Sequence, residues 1–400
     1  MLSLRRIKKN IVLLLLTLAP ASAHAESVTI KVGVLRQTHS RETLSIIDLP
    51  APDDGLAGAM IGAADNNTTG KFTNQKYEII DAKLGDAPNI EKEVAALLEQ
   101  GVHLILADLA PEDLLTASAR ASAADALILN IFAPDVRLRE EDCRANIVHV
   151  APDRAMLADG LAQYLVWKQW RRWFLIKFFG SHPEDELLAQ AYRRAAKKFG
   201  AKIIDERLYE DTGGGRRSDS GSVQTQRQMP AFTQNAPNYD VLVSADESEV
   251  FSHYLPYQTW DPRPVVGSAG LTPTNWNASH EQWGAQQLQN RFLQSFHRPM
   301  NARDNAAWVA MRMISEAAVR AKSDKAKDIL NFMRSSDFSI AAFKGLRLTL
   351  RLWNQQLRQP ILLSDGRLTV SVSPQDGFLH QYSELDTLGL DQAETKCRLK

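Results

Sequence analysis

Residues 102–132 read VHLILADLAPEDLLTASARASAADALILNIF. Val102 to Ala107 is a short, almost continuously apolar run, the pattern of a strand covered on both faces. Glu112 to Ala124 is alanine-rich and predicts a helix. Leu127 to Phe132 is a second buried strand. Strand, helix of about a dozen residues, strand is a βαβ unit, and such units build parallel sheets.

The same alternation extends toward the N-terminus. Val28 to Leu35 is rich in β-branched residues and predicts a strand. Gly55 to Asn67 predicts a helix with Ala57, Ala59, Ala63 and Ala64 on it, and Tyr77 to Ala82 another strand. Ile90, Val94, Leu97 and Leu98 share one helical face, which Gly101 terminates. Past residue 132 the series restarts. Strands are expected at Ile147 to Val150, Trp173 to Phe179, Ile203 to Tyr209 and Tyr239 to Ser244. Helices are expected over Leu157 to Leu165 and from Pro183 to Phe199. Asp211 to Pro237 is full of Gly, Ser, Gln and Arg and predicts a long surface loop. Val265 and Val266 start a last parallel strand, and Ala302 to Ala321 predicts a long helix. The tail changes character, with short strands at Leu346 to Leu352, Pro360 to Leu363 and Leu368 to Val372. Two βα series and a mixed tail fit an α/β chain of two Rossmann-like lobes with parallel sheets, joined by several crossovers.

The N-terminus predicts export. Arg5, Arg6, Lys8 and Lys9 precede an apolar run from Ile11 to Leu18, and Ala23-His24-Ala25 fits a small-x-small cleavage site. The run is far short of the roughly 20 residues a spanning helix needs. Cleavage after Ala25 leaves 43 basic against 47 acidic residues, so no basic face favours nucleic acid. In an oxidising compartment Cys143 and Cys397 allow one disulfide, the alternative being two separate buried thiols.

Several stretches resemble the periplasmic Leu/Ile/Val-type ABC solute-binding proteins. They are Ala63 to Gly70 (AADNNTTG), His149-Val150-Ala151-Pro152-Asp153, and Phe178 to Asp185 (FFGSHPED). Others are similar to the subgroup associated with PQQ-dependent alcohol dehydrogenase systems: Leu165 to Trp173 (LVWKQWRRW), Ala245-Asp246-Glu247-Ser248, Thr259 to Pro264 (TWDPRP) and Leu385 to Gly389 (LDTLG). The resemblance implies a type I periplasmic binding fold whose chain crosses between lobes three times. The expected division is 1–25 signal peptide, 26–148 plus about 265–345 lobe one, and 149–264 plus about 346–400 lobe two with a hinge-associated tail. It also implies capture of a small molecule by lobe closure, delivery to an ABC permease complex, and a link to quinoprotein alcohol oxidation. The alternative is a periplasmic accessory protein that binds a quinoprotein dehydrogenase, its cofactor or a metal ion without transport.

No G-x-S-x-G, H-E-x-x-H, C-x-x-C or P-loop occurs, so no enzyme, cofactor or metal site is expected. Gly213 to Arg217 lacks the P-loop lysine and reads as a flexible loop. The acidic clusters Asp53-Asp54, Glu140 to Asp142 and Glu184 to Glu186 lack Ca²⁺-loop spacing. Trp167, Trp170 and Trp173 read as packing rings between solvated charges. Ligands of open α/β sheets bind at the carboxyl ends of strands. That rule nominates Asp108 and Phe132 in lobe one, and Phe179, Asp246 and Glu247 in lobe two, with Trp276 as a further apolar wall. Three carboxylates predict a negative cleft suited to a cation or a hydroxyl donor. Amino-acid binders of the wider family hold their ligand with Ser and Thr hydroxyls at two lobe-one strand ends. Here those segments read Ala107 to Pro111 (ADLAP) and Asn130 to Pro134 (NIFAP), which argues against leucine, isoleucine or valine.

Overall fold

The computed structural model describes residues 27–39, 49–85, 87–179, 184–210 and 227–399, with backbone alone at Phe179 and Glu184. The signal peptide with its cleavage site, the Gly213 to Arg217 stretch and the Phe179 side chain lie outside the described residues.

The first lobe carries β1 (Val28–Arg36), α1 (Leu56–Thr73), β2 (Gln75–Lys83), α2 (Ile90–Glu99), β3 (Leu104–Asp108), α3 (Pro111–Ser122), β4 (Leu127–Asn130) and β5 (Ile147–His149). Its sheet is parallel throughout, in the order β2-β1-β3-β4-β5. Every residue of β3 and β4 is buried, as a strand with helices on both faces requires. Asn89 caps α2 by accepting from Lys92 N at 3.0 Å, and Gly101, at φ 75°, supplies the left-handed residue after it.

The second lobe follows with α4 (Arg154–Trp167), β6 (Arg172–Phe179), α5 (Glu184–Phe199), β7 (Lys202–Glu210), a short helix α6 at 227–233, β8 (Val241–Ala245) and β9 (Val265–Gly267). Its sheet is also parallel, in the order β7-β6-β8-β9. Residues 227–233 fall inside the stretch expected to be loop; Met229 buries there and converts its end into helix. Nearly all of α4 is buried, because it lies between this lobe's core and a small antiparallel sheet of the tail.

That small sheet pairs β10 (Thr272–Thr274), β14 (Ile361–Ser364) and β15 (Thr369–Ser373). Between them the chain returns to lobe one through α7 (Ala285–Phe296), α8 (Ala302–Ala321), α9 (Ala326–Met333), β11 (Ile340–Ala341), β12 (Arg347–Leu350) and β13 (Leu357–Arg358). The boundaries at about 265 and 346 therefore shift. β9 pairs with β8, so lobe two runs on through Thr274. Leu348, Leu350 and Leu357 join the first-lobe core, whereas Ile361 and Leu363 join the second. The three crossings lie at 149–153, just after 274, and at 358–360.

The small residues of α1 meet α8. A Cβ added at Gly58 would stand 1.9 Å from the Asp304 carbonyl oxygen, and one at Gly62 would stand 2.6 Å from Met311 Cβ. Glycine here permits backbone-to-backbone contact that no other residue allows.

At the crossings, side-chain amides bind main chain. Gln355 Nε2 donates to Ile147 O at 2.6 Å, Gln356 Nε2 to His149 O and Ala151 O at 3.1 Å, and Gln359 Nε2 to Val150 O at 2.6 Å. Buried Arg139 adds bonds to Gln356 Oε1 and Ala151 O, each 2.9 Å. Buried Lys344 donates to Gln359 Oε1 at 2.7 Å. Cys143 and Cys397 form a disulfide.

Candidate functional site

The last residue of β3 is Asp108, and its side chain is buried. His39, three residues beyond β1, places Nε2 2.7 Å from Asp108 Oδ1, and Arg303, near the start of α8, places Nη1 3.3 Å from Oδ2. Phe132 stands beside this group. Its ring centroid is 3.9 Å from that of His39, and the Arg303 guanidinium carbon lies 4.5 Å from it. Asn130 shapes the turn that presents Phe132, accepting from Phe132 N at 3.1 Å and Ala133 N at 2.9 Å.

In lobe two the chain leaves β8 through Asp246 and Glu247, which behave differently. Asp246 turns inward. Its Oδ2 accepts from Phe251 N and Ser252 N at 2.9 Å, and its Oδ1 from Ser248 Oγ at 2.6 Å. It is buried and holds the loop that leads into the single turn at Ser252–Tyr254. Glu247 stays partly open, and its Oε1 accepts from Arg154 Nε at 2.9 Å and Nη2 at 2.6 Å. Burial pushes the Glu247 carboxyl up from its usual range, while Arg154 pulls it back. Arg154 also reaches Asp135 Oδ2, Nη1 lying 3.1 Å away. Burial raises the nearby Tyr192 hydroxyl, and Glu247 and Glu249 reinforce the effect.

The structure places the nominated residues differently. Asp108 and Phe132 come together at one strand-end cluster, and Glu247 sits at the other. Asp246 is corrected to a loop-holding residue, because two loop amides take its Oδ2 and the Ser248 hydroxyl takes its Oδ1. Trp276 is corrected to a core residue: it is 2% exposed, belongs to the first-lobe core and meets His280 edge-on at 5.4 Å. Asp108 and Glu247 each have a cation beside them, Arg303 and Arg154. His39, Asp135, Arg154 and Arg303 were missed. His39 also follows a strand end, so the same rule reaches it, whereas nothing local marks the two arginines. Among the described residues, no group of three or more His, Cys, Asp or Glu could hold a metal ion, and no helix is long and apolar enough to cross a membrane.

Asp135 follows β4 of the first sheet and Glu247 follows β8 of the second. One arginine paired with both brings the carboxyl ends of the two sheets side by side. Against solved structures, the chain aligns with a periplasmic binding protein from Burkholderia mallei at TM-score 0.65 and 16% identity, over 94% of this chain and 99% of that one. This is a type I periplasmic binding protein fold. A leucine-, isoleucine-, valine-, threonine- and alanine-binding protein from Brucella ovis, in its closed conformation, aligns at TM-score 0.68 and 16% identity, over 93% and 99% of the two chains. An ABC transporter solute-binding protein from Rhodopseudomonas palustris, in complex with 3,4-dihydroxybenzoic acid, aligns at 0.59 and 12%, over 84% and 92%. Residues 50–225 match the family model described as periplasmic binding protein. No curated protein matches the sequence.

Proposed function

We propose that the chain is the periplasmic solute-binding component of an ABC importer, exported with cleavage after Ala25, and not an enzyme. The observation that carries this reading is the Asp135–Arg154–Glu247 ion-pair chain, which sets two strand-end clusters at one junction. Ligands of open α/β sheets bind at such strand ends. The solute meets one lobe, and closure brings the other lobe's groups onto it. Asp108 with His39, Arg303 and Phe132 supplies the first surface; Glu247 with Arg154 supplies the second. The fold-level likeness to amino-acid and aromatic-acid binders supports a small organic solute. Leucine, isoleucine and valine are poor candidates, because closure leaves an amino acid's charges needing partners that Ala107 to Pro111 and Asn130 to Pro134 do not offer as hydroxyls. The link to quinoprotein alcohol oxidation rests on the four resembling stretches.

Mass spectrometry of small molecules released from natively purified protein tests the reading. The expected result is one stoichiometric organic solute whose rebinding, followed by calorimetry, is lost in Glu247→Ala. Absence of any solute, or micromolar binding of leucine, overturns it. One observation favours the accessory-protein reading. Trp260, inside the Thr259 to Pro264 stretch, is 59% exposed, and neighbouring Tyr257 is fully exposed. Recovery of a quinoprotein dehydrogenase instead of a permease in a periplasmic pull-down would decide for it.

A further inference from the structure

The three crossings are not the only link between the lobes. Beyond β15 the tail docks on lobe two. Gly389 N donates to Asp159 Oδ2 of α4 at 2.8 Å, and Arg194 and Lys198 of α5 donate to Gly389 O at 2.7 and 2.8 Å. Gln163 of α4 donates to Thr387 Oγ1 at 2.8 Å. Asp159 is fully buried and ion-paired to both Arg194 and Lys198, and this dock also meets the other lobe, because buried Arg351, just after β12, donates to Leu385 O at 2.8 Å and to Leu388 O at 2.6 Å. Eight residues later the same tail is attached to lobe one. Cys397 is bonded to Cys143 in the segment between β4 and β5. Buried Glu140 accepts from Thr395 Oγ1 at 2.9 Å and from Lys396 N at 2.7 Å. That segment is itself held on lobe one, where Arg137 pairs with Asp142 and with Glu112 of α3, and Gln355 Nε2 bonds Arg144 O at 3.1 Å.

We propose that residues 390–397 are a covalent strap across the hinge, which sets how far the two lobes can separate. The inference rests on the reading that the lobes move. A polypeptide crossing can rotate about its backbone torsions, but a segment pinned at both ends can only run out of length. Eight residues span at most about 28 Å when fully extended. The docks at Gly389 and Glu140 keep the strap from paying out at either end. Opening therefore first breaks the Arg351 bonds to Leu385 O and Leu388 O, and stops when the strap is drawn straight.

The test is a distance distribution between spin labels carried by unnatural amino acids at Phe72 and Tyr257, which are 90% and 100% exposed on lobes one and two. It is recorded by double electron–electron resonance on the solute-free protein. Two variants are compared with the parent. Cys143→Ser with Cys397→Ser removes the bridge. A ten-residue Gly/Ser insertion between Ala393 and Glu394 keeps the bridge and lengthens the strap. The long-distance edge is expected to move outward by several ångströms in both. If the cysteine variant fails to fold, the insertion decides alone. Superimposable distributions in folded parent and variants overturn the strap. Because no solute is needed, that failure stays separate from failure of the solute-binding reading, which mass spectrometry of the native protein reports.

Discussion

Arg154 Nη2 lies 2.6 Å from Glu247 Oε1, although the two residues are 93 positions apart. Arg154 is almost wholly buried and starts α4; Glu247 keeps about a quarter of its side chain open. Removing the arginine leaves two carboxylates, Asp135 and Glu247, facing each other without a cation. Arg154→Met should cost about 2–4 kcal/mol, the range for breaking a buried pair discounted for the open face of Glu247. Glu247→Gln should cost less. In a double-mutant cycle by urea denaturation, the second change should recover part of the loss from the first. Strict additivity would show that the pair is not coupled.

Asp246 and Glu247 are neighbours with separable roles. Asp246→Ala strips acceptors from Phe251 N and Ser252 N, and an unsatisfied buried donor costs about 1–3 kcal/mol. The expected outcome is a lower unfolding midpoint with unchanged affinity for whatever solute the native protein carries. Glu247→Ala should do the reverse, weakening solute binding more than stability. A loss of affinity in Asp246→Ala at full folded occupancy would return Asp246 to the cleft.

Lys344 is buried and has one acceptor, Gln359 Oε1, so burial pulls its ammonium down to about 7. The nearby His280 imidazole is also lowered, first by its own burial. The unfolded chain holds the Lys344 proton up to the ordinary lysine value of 10.5, while the folded chain releases it near 7. Between those limits the unfolded state binds more protons, so this group makes stability rise with pH, by up to about 1.4 kcal/mol per pH unit. Lys344→Met abolishes that contribution. Urea denaturation at pH 7, 8 and 9 should give a steeper upward trend for the parent than for the variant. Parallel trends would refute it.

Gly58→Ala improves helix propensity and should nonetheless destabilise. The new methyl meets the Asp304 carbonyl, which belongs to the backbone of α8 and cannot rotate away. Prising α1 from α8 should cost about 2–4 kcal/mol, above the usual overpacking range because the obstacle is main chain. Thermal unfolding checks this, and a midpoint at or above the parent's would show that the helices can slide apart.

Much of the fold was legible because its signals are local. The bounds expected for α8, Ala302 to Ala321, match those observed, since Asn301 and Asp304 form a capping box and a long apolar face follows. α7 was missed. Its buried face is only Ala285, Leu288 and Phe292 among Gln, Asn and Arg, too sparse to stand out as a period. The strand-end rule nominated Asp108, Phe132 and Glu247, but it fixes where a residue sits and not which way its side chain turns. Asp246 faces its own loop, where free amides were closer than any cleft. Trp276 follows the second crossing, and its indole goes into the nearest core. The cations opposite the carboxylates start α4 and α8, far away in sequence, so only the folded chain shows the pairing.

The hinge glutamines have a physical corollary. Gln355, Gln356 and Gln359 grip the first crossing with uncharged amides that donate to its main-chain carbonyls. Dipoles at contact distance are barely screened by dissolved ions, whereas exposed charge pairs lose their grip as the Debye length shrinks from about 10 Å at 0.1 M to about 3 Å at 1 M. The outer ion pairs of each lobe, such as Arg193 with Glu186 and Glu206, will loosen in brine. The pivot will not. If the lobes swing as proposed, a pivot of this kind turns on the same axis in dilute and in concentrated surroundings, so a change in osmolarity would alter how firmly the lobes keep their shape without altering the direction of the swing.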